Sequence, residues 1–377
     1  MASQSTGSAA AGERFDVLQS CRGLLAVAVV VYHLTAATHF YAFVHGAYAA
    51  VDFFFVLSGF VIAAAYEERV RGVGRFVQYA VRRVGRLYPL HLFVLGVWLL
   101  IEFAKSWLGE PAFQGDTSWP DFWQNLFLTQ AFGPDSITWN YPAWSIGLEL
   151  WANVAAGLIL LALGRRWWIG AIAMITLLAA FYASQYVIDY AGAQARFDIL
   201  ANDSDYIAGF FIGMLVHSVY RGARRVGFTA PWGMDVLGLA GVLAIFRYAD
   251  AMPFLSKSAA FAIVVLVIAF ERGPVSALLR RPAALWLGTI SYSIYLTHVI
   301  FVNVATEGLY ALGEAWGQAV TAPIYGENVI IIGGPWLADA AALSVVAVTL
   351  GASALTYRFV EDPARRWFNR ISSGVRR

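Results

Sequence analysis

The chain has 377 residues, 59% of them hydrophobic and only 13% charged, with a formal net charge of +2. A soluble domain carries about 25% charged residues, so this composition excludes an ordinary soluble enzyme, and no nucleic-acid partner is expected. The single cysteine, Cys21, excludes an intrachain disulfide framework and a cysteine-based zinc site.

The charges are unevenly spread. Between short charged stretches run apolar blocks near the roughly 20 residues that cross a hydrocarbon core about 30 Å thick. In chain order they predict spans at 22–40, 48–66, 88–104, 144–163, 169–188, 205–220, 231–247, 256–270, 283–302 and 334–358. The third, sixth and eighth are short. The block after Arg22 is read as the first membrane helix and not as a removed signal. Two long outer loops are expected, at 105–143 and 303–333; the first carries Trp119, Phe122, Trp123 and Phe127, which suit the interface. The fold class is therefore all-α, a polytopic bundle of about ten membrane helices. It divides into an N-terminal segment (1–21), a membrane domain (22–358) and a basic tail (359–377).

Orientation follows from the 26 Lys and Arg residues. With the N-terminus inside, 22 fall on the inner side, and only Lys105, Arg196, Arg247 and Lys257 fall outside. This asymmetry predicts both ends in the cytoplasm and places the chain in the inner (cytoplasmic) membrane as a multi-pass protein.

Ionisable groups inside a membrane are expensive and commonly face a polar cavity. Arg22 and His33 are eleven residues apart, which is roughly three helical turns, or about 16 Å along one face. Arg22 is expected at the cytoplasmic mouth and His33 near mid-membrane. Glu149, in Trp144-Ser145-Ile146-Gly147-Leu148-Glu149, falls about 8 Å inside the outer edge of the fourth span, close to the expected depth of His33. A carboxylate beside a histidine fixes its tautomer, as a general base requires. A purely structural Glu–His pair would satisfy the same spacing.

Arg82, Arg83 and Arg86, ahead of Tyr88 and Pro89, lie in an inner loop that contains arginine and no lysine. Arginine forks suit phosphate, although topology alone also asks for positive charge here. Ser58 and Gly59 sit in mid-span, where a glycine allows close helix approach. Ser291, Tyr295 and His298 recur at i, i+4 and i+7 and share a helix face, with Tyr292 beside them. His39, His45, His91 and His217 are assigned no role, and no metal site is expected.

In these residues the chain resembles the membrane-bound acyltransferase family 3, from about Phe15 to Trp367. The carriers are Asp16 ahead of Arg22-Gly23, the Arg22 to His33 spacing, Asp52 through Ser58-Gly59-Phe60, Arg83 and Arg86 before Pro89, Trp144-Ser145 with Glu149, Leu287 through His298, and Glu361-Asp362-Pro363. Gln19-Ser20-Cys21 departs from the simpler leucine that commonly precedes the arginine.

The resemblance implies O-acylation from acyl-CoA, a co-substrate and not a cofactor, with acetyl as the expected acyl group. His33 would be the general base and Glu149 its orienting partner. Arg22, Arg82, Arg83 and Arg86 would bind acyl-CoA. Asp16, Asp52, Ser58, Trp144, Ser145, Ser291, Tyr292, Tyr295 and His298 would support the site, with Ser58 or Tyr295 the candidate oxyanion donor. The expected acceptor is a glycan or lipid-linked sugar, as in polysaccharide modification. Alternatives are a cytoplasmic small molecule such as a macrolide, or a different class, a glycolipid transporter. Family members often carry an extra hydrolase-like domain; none is read here, so the expected partners beyond membrane lipid are a second copy or a separate extracytoplasmic protein.

Overall fold

The structure, a computed structural model, describes residues 14–132, 137–189 and 198–374. The first 13 residues of the expected N-terminal segment, Arg196 of the outer loops, and Arg376 and Arg377 of the tail lie outside the described residues.

The described chain is almost entirely helical. Its helices are α1 (Asp16–His33), α2 (Tyr41–Val44), α3 (Ala50–Tyr66), α4 (Val73–Trp107), α5 (Trp119–Leu126), α6 (Ala143–Leu163) and α7 (Trp167–Asp189). There follow α8 (Asp198–Arg225), α9 (Met234–Tyr248), α10 (Ser256–Ala269), α11 (Pro274–Leu279), α12 (Pro282–Trp316), α13 (Gly334–Thr356) and α14 (Asp362–Gly374). The ten expected spans each fall on a helix: α1, α3, α4, α6 to α10, α12 and α13. Among the described residues, five segments are long and apolar enough to cross a membrane by length and composition: Tyr41–Tyr66, Val73–Trp107, Ala143–Ser184, Pro282–Trp316 and Gly334–Gly374. Outward faces are apolar too, with Leu100, Leu177, Ile263 and Leu343 all well exposed, as hydrocarbon contact requires.

The boundaries correct the sequence reading in three places. First, α1 starts at Asp16 and ends at His33, where a span over 22–40 was expected. The polar residues near its start are satisfied inside the bundle: Ser20 Oγ donates to Leu279 O at 2.7 Å, so they do not mark a helix end. Arg22 therefore lies within the helix, and His33 is its last residue. Second, α4 begins at Val73, so Arg75, Arg82, Arg83 and Arg86 lie on a helix and not in a loop. Third, the expected tail is ordered. A π-helical turn (Tyr357–Glu361) joins α13 to α14, and α14 packs on α4. There Phe368 fills the space that a side chain at Gly85 would need, and Arg82 Nε donates to Ser372 Oγ at 2.9 Å.

The most extensive contacts are α3 with α8 and α1 with α12. The second crossing depends on small residues. A Cβ on Gly23 would lie 2.5 Å from Gly288 N, and one on Gly288 would lie 2.3 Å from Gln19 O. Backbone thus meets backbone, a close approach that small residues permit between membrane helices.

A two-stranded hairpin, β1 (Thr321–Ile324) and β2 (Glu327–Ile330), is antiparallel with Ile324 opposite Glu327. Its turn residues Tyr325 and Gly326 have φ of 52° and 81°, which fits a tight two-residue hairpin turn. Ile330 N donates to Thr35 O at 2.9 Å and Ala37 N to Ile330 O at 2.8 Å. The hairpin is thereby tied to the chain just beyond His33, and it brings Glu327 to that end of the bundle.

Candidate active site

Two cavities lie along the α1–α12 pair. The inner one, of about 120 Å³, is lined by Arg22, Ser58, Arg83, Arg86, Ser145, Glu149, Ser291, Tyr292 and Tyr295 among apolar residues that include Phe54, Leu57 and Ile146. The close α1–α12 crossing sets the arginine of α1. Arg22 Nε donates to Ser291 Oγ at 2.8 Å and Nη2 to Gly288 O at 3.1 Å. On α4, Arg86 Nη1 pairs with Glu361 Oε1 at 2.5 Å, and Ser293 Oγ donates to Glu361 Oε2 at 2.8 Å. The Arg86 guanidinium also lies 5.5 Å from the centre of the Tyr292 ring. Tyr292 OH donates to Leu87 O at 2.5 Å.

Arg83 differs from its neighbours. It lies over the Tyr66 ring at 5.5 Å, and its buried Nε has no hydrogen-bond partner. Glu149 Oε1 accepts from Ser58 Oγ at 2.7 Å. The cavity thus combines three guanidinium groups with two carboxylates, Glu149 on its wall and Glu361 behind Arg86, an excess of one positive charge in a largely apolar setting.

The outer cavity, of about 510 Å³, is lined by His33 with Tyr32, Thr35, Trp98, Asp116, Trp139, Tyr141, Asn303 and Glu327. His33 is the last residue of α1. Its Nδ1 lies 3.0 Å from Val29 O and 3.1 Å from His298 Nε2. The tautomers follow from these partners. His298 Nδ1 faces only carbonyl oxygens, Tyr295 O at 2.8 Å and Ile294 O at 3.3 Å, so it carries the proton. His298 Nε2 is then an acceptor, and His33 Nδ1–H must be its donor. The lone pair of His33 is left on Nε2, the nitrogen that neither contact engages. The ring is held edge-on against Tyr32 and Tyr141, each with centroids 5.0 Å away.

The sequence-derived residues divide between these cavities. Arg22, Ser58, Arg83, Arg86, Ser145, Glu149, Ser291, Tyr292 and Tyr295 line the inner one, whereas His33 lines the outer one. The expected Glu149–His33 pair is corrected: the orienting contact on His33 comes from His298 on α12. The physical reason is the end of α1 at His33, which carries the imidazole into the larger cavity, while Glu149 on α6 lines the cavity that holds Arg22. Ser58 and Tyr295, considered as oxyanion donors, line the inner cavity and not the one His33 faces. Ser145 Oγ and Tyr295 OH bond each other at 2.7 Å.

Five expected residues line neither cavity, His298 behind His33 being one. Arg82 is held by Ser372 on α14. Asp16 pairs with Arg14 at 2.5 Å. Asp52 is fully buried beside α10 and accepts from Ser258 Oγ at 3.1 Å. Trp144 packs on Tyr206, with centroids 5.1 Å apart.

Sequence reasoning missed Glu361 as the partner of Arg86, although it stands in the Glu361-Asp362-Pro363 step. It also missed Trp98, Trp139, Tyr141 and Glu327 of the outer cavity, which carry no local spacing signal. His91 received no role; its Nε2 lies 2.8 Å from Asn125 O, so it docks α5 on α4. Among the described residues, no group of three or more His, Cys, Asp or Glu side chains could hold a metal ion.

Comparison with known proteins bears on the family. A family profile described as an acyltransferase domain, the third acyltransferase family, matches residues 16–358. The chain is 26% identical over 352 residues to acyltransferase MdmB of Streptomyces mycarofaciens, covering 85% of this chain and 81% of that protein. It is 24% identical over 388 aligned positions to the peptidoglycan O-acetyltransferase OatA of Listeria monocytogenes, covering 93% of this chain and 55% of OatA. It is 32% identical over 157 residues to protein 2 in the picA locus of Rhizobium radiobacter, covering 37% of this chain and 80% of that protein. No solved structure matches. With the profile spanning nearly the whole helical bundle, the chain belongs to acyltransferase family 3 and is a membrane O-acyltransferase.

Proposed function

We propose that this acyltransferase takes a short acyl group, acetyl foremost, from cytoplasmic acyl-CoA held at the inner cavity. It transfers the group to a hydroxyl of a glycan or lipid-linked sugar in the outer cavity. The observation that carries this reading is the free Nε2 of His33 at the floor of a cavity rich in aromatic and carboxylate groups, on the same helix as Arg22 of the inner cavity.

His33 Nε2 accepts the proton of the acceptor hydroxyl as its oxygen attacks the thioester carbon. The carbon–sulfur bond then breaks, and the departing thiolate takes the proton back from the imidazolium. His298 holds the tautomer that leaves Nε2 basic. His298 Nδ1 ends on backbone carbonyls, so no proton wire leads inward from His33, and its proton returns through Nε2.

Arg83 and Arg86 suit the donor's phosphates, because both lie on the inner part of α4 and Arg83 has an unused buried donor. Arg22 stands deeper and suits the pantetheine arm, with Glu149 as acceptor for its amide hydrogens. The arm would reach His33 past the Ser145–Tyr295 pair on the wall of the inner cavity. Trp98, Trp139 and Tyr141 offer flat apolar faces, and Asp116, Asn303 and Glu327 offer hydroxyl partners, a combination that suits a sugar. The relative OatA is named for peptidoglycan O-acetylation, which points the same way. The inner membrane is the proposed location.

The test uses the purified chain in sealed liposomes oriented with the inner face toward the lumen. Acetyl-CoA trapped inside, with a soluble glycan acceptor outside, should release free coenzyme A inside and acetylate the glycan outside. Transfer only when both substrates share one side would refute the two-sided reading.

A further inference from the structure

A second hollow opens on the inner face, apart from the donor cavity. It has a volume of about 550 Å³ and is walled by three helix junctions: Glu67, Glu68 and Arg71 between α3 and α4, Arg165 and Trp167 between α6 and α7, and Arg221 and Arg225 at the end of α8. Its floor is built from buried groups, with Glu67 and Trp167 each only 4% exposed.

The charges in this hollow are unbalanced. Arg221 pairs with both carboxylates, with Glu67 closely and with Glu68 at 2.9 Å. Arg71, Arg165 and Arg225 line the same hollow and pair with no carboxylate among the described residues. Four guanidinium groups thus face two carboxylates. Arginines that serve only to set topology need to lie on the inner side; they need not converge on one concavity from three separate junctions.

A further observation concerns Glu67. Its Oε1 is engaged by Arg221, and its buried Oε2 makes no well-formed hydrogen bond, although the Trp167 side chain stands near enough to pull on the carboxyl. Burial pushes this carboxyl above its ordinary range, against the opposing pull of Arg221. A hydroxyl arriving with a ligand would satisfy the orphaned oxygen.

We propose that this hollow binds a phosphate ester that carries a neighbouring hydroxyl, gripped by Arg71, Arg165 and Arg225, with the hydroxyl donated to Glu67. Two sources share that chemistry: the headgroup of an anionic glycerophospholipid, and the 3′-phosphorylated ribose of coenzyme A. Position allows the second source. Arg83 of the inner cavity lies over Tyr66, and Tyr66 immediately precedes Glu67 in the chain. The nucleotide source rests on the donor reading above; the lipid source does not.

The test is a binding measurement on the full chain in nanodiscs, with no acceptor, so turnover does not enter. In phosphatidylcholine discs, coenzyme A is titrated against 3′-dephospho-coenzyme A. In parallel, thermal unfolding is followed as phosphatidylglycerol replaces phosphatidylcholine. A nucleotide site gives at least tenfold tighter binding of coenzyme A than of its dephospho form. A lipid site gives a rise in Tm with phosphatidylglycerol.

Either response should vanish in the Arg71→Gln/Arg165→Gln double variant. It should be weakened in Arg71→Lys/Arg165→Lys, which keeps the inner charge for topology but loses the fork. Absence of both responses in the unmodified chain, or a response that survives the glutamine pair, overturns the proposal. If coenzyme A fails to bind in either form, the donor reading of the inner cavity fails, and the lipid arm alone decides this site.

Discussion

At the scale of single residues, hydrogen-bond accounting fixes the chemistry of His33 more firmly than its depth does. His298 contributes one hydrogen bond to the His33 ring, and Val29 O supplies a second acceptor at 3.0 Å. One such bond is worth about 0.5–1.5 kcal/mol, so His298→Ala should lower turnover about two- to tenfold, with donor KM unchanged. A collapse of donor affinity in that variant would assign His298 to packing instead.

The two inner arginines separate in a different way. Glu361 is almost fully buried and depends on Arg86. Removing one partner of a buried pair costs about 3–5 kcal/mol, so Arg86→Ala should lose both stability and donor binding. Arg83 lies over the Tyr66 ring and pairs with no carboxylate among the described residues, so Arg83→Ala should lose donor binding with little change in Tm. Calorimetric titration with coenzyme A alongside thermal unfolding distinguishes the two. The sequence shows that arginines gather here. It does not show that Glu361, 275 positions away, holds one of them.

At the scale of elements, the crossing of α1 on α12 sets the site, because it seats Arg22 on Ser291 and His33 on His298 at once. Gly23→Val would force its side chain into Gly288 and Leu287 backbone at 2.5 Å. Overpacking costs typically 1–3 kcal/mol, and here rigid backbone must move. Gly23→Val should therefore lower Tm by several degrees and weaken donor binding together. An unchanged Tm would show that the crossing is looser than described.

Apolar length was enough to find the spans, since a helix in hydrocarbon must bury its backbone groups within itself. It misplaced the ends of α1 and α4 because Ser20, Arg82 and Arg86 find partners inside the bundle, which no local count reveals. The stripe of Ser291, Tyr295 and His298 was legible as one helix face. That this face meets α1 was not, because the pairing of helices depends on small residues at Gly23 and Gly288 whose partners lie far apart in sequence.

At the scale of the whole molecule, the bundle places an arginine-rich cavity and a histidine-bearing cavity at opposite ends of one helix pair. On the orientation proposed from the charge asymmetry, the first would face the cytoplasm and the second the outer side. The outer cavity itself was not legible, because it is assembled from α1, from α4 with the loop around Asp116, and from α12 with the β-hairpin, three stretches far apart in the chain.

The division of labour between the ends is the central claim, and His33→Ala tests it most directly. Turnover of acetyl-CoA with a working glycan acceptor and binding of coenzyme A are measured on the same liposome preparation. A general base commonly contributes about 10²–10⁴-fold, so turnover should fall by that range while coenzyme A binding stays within twofold of the unmodified chain. Near-normal turnover in His33→Ala would contradict the claim.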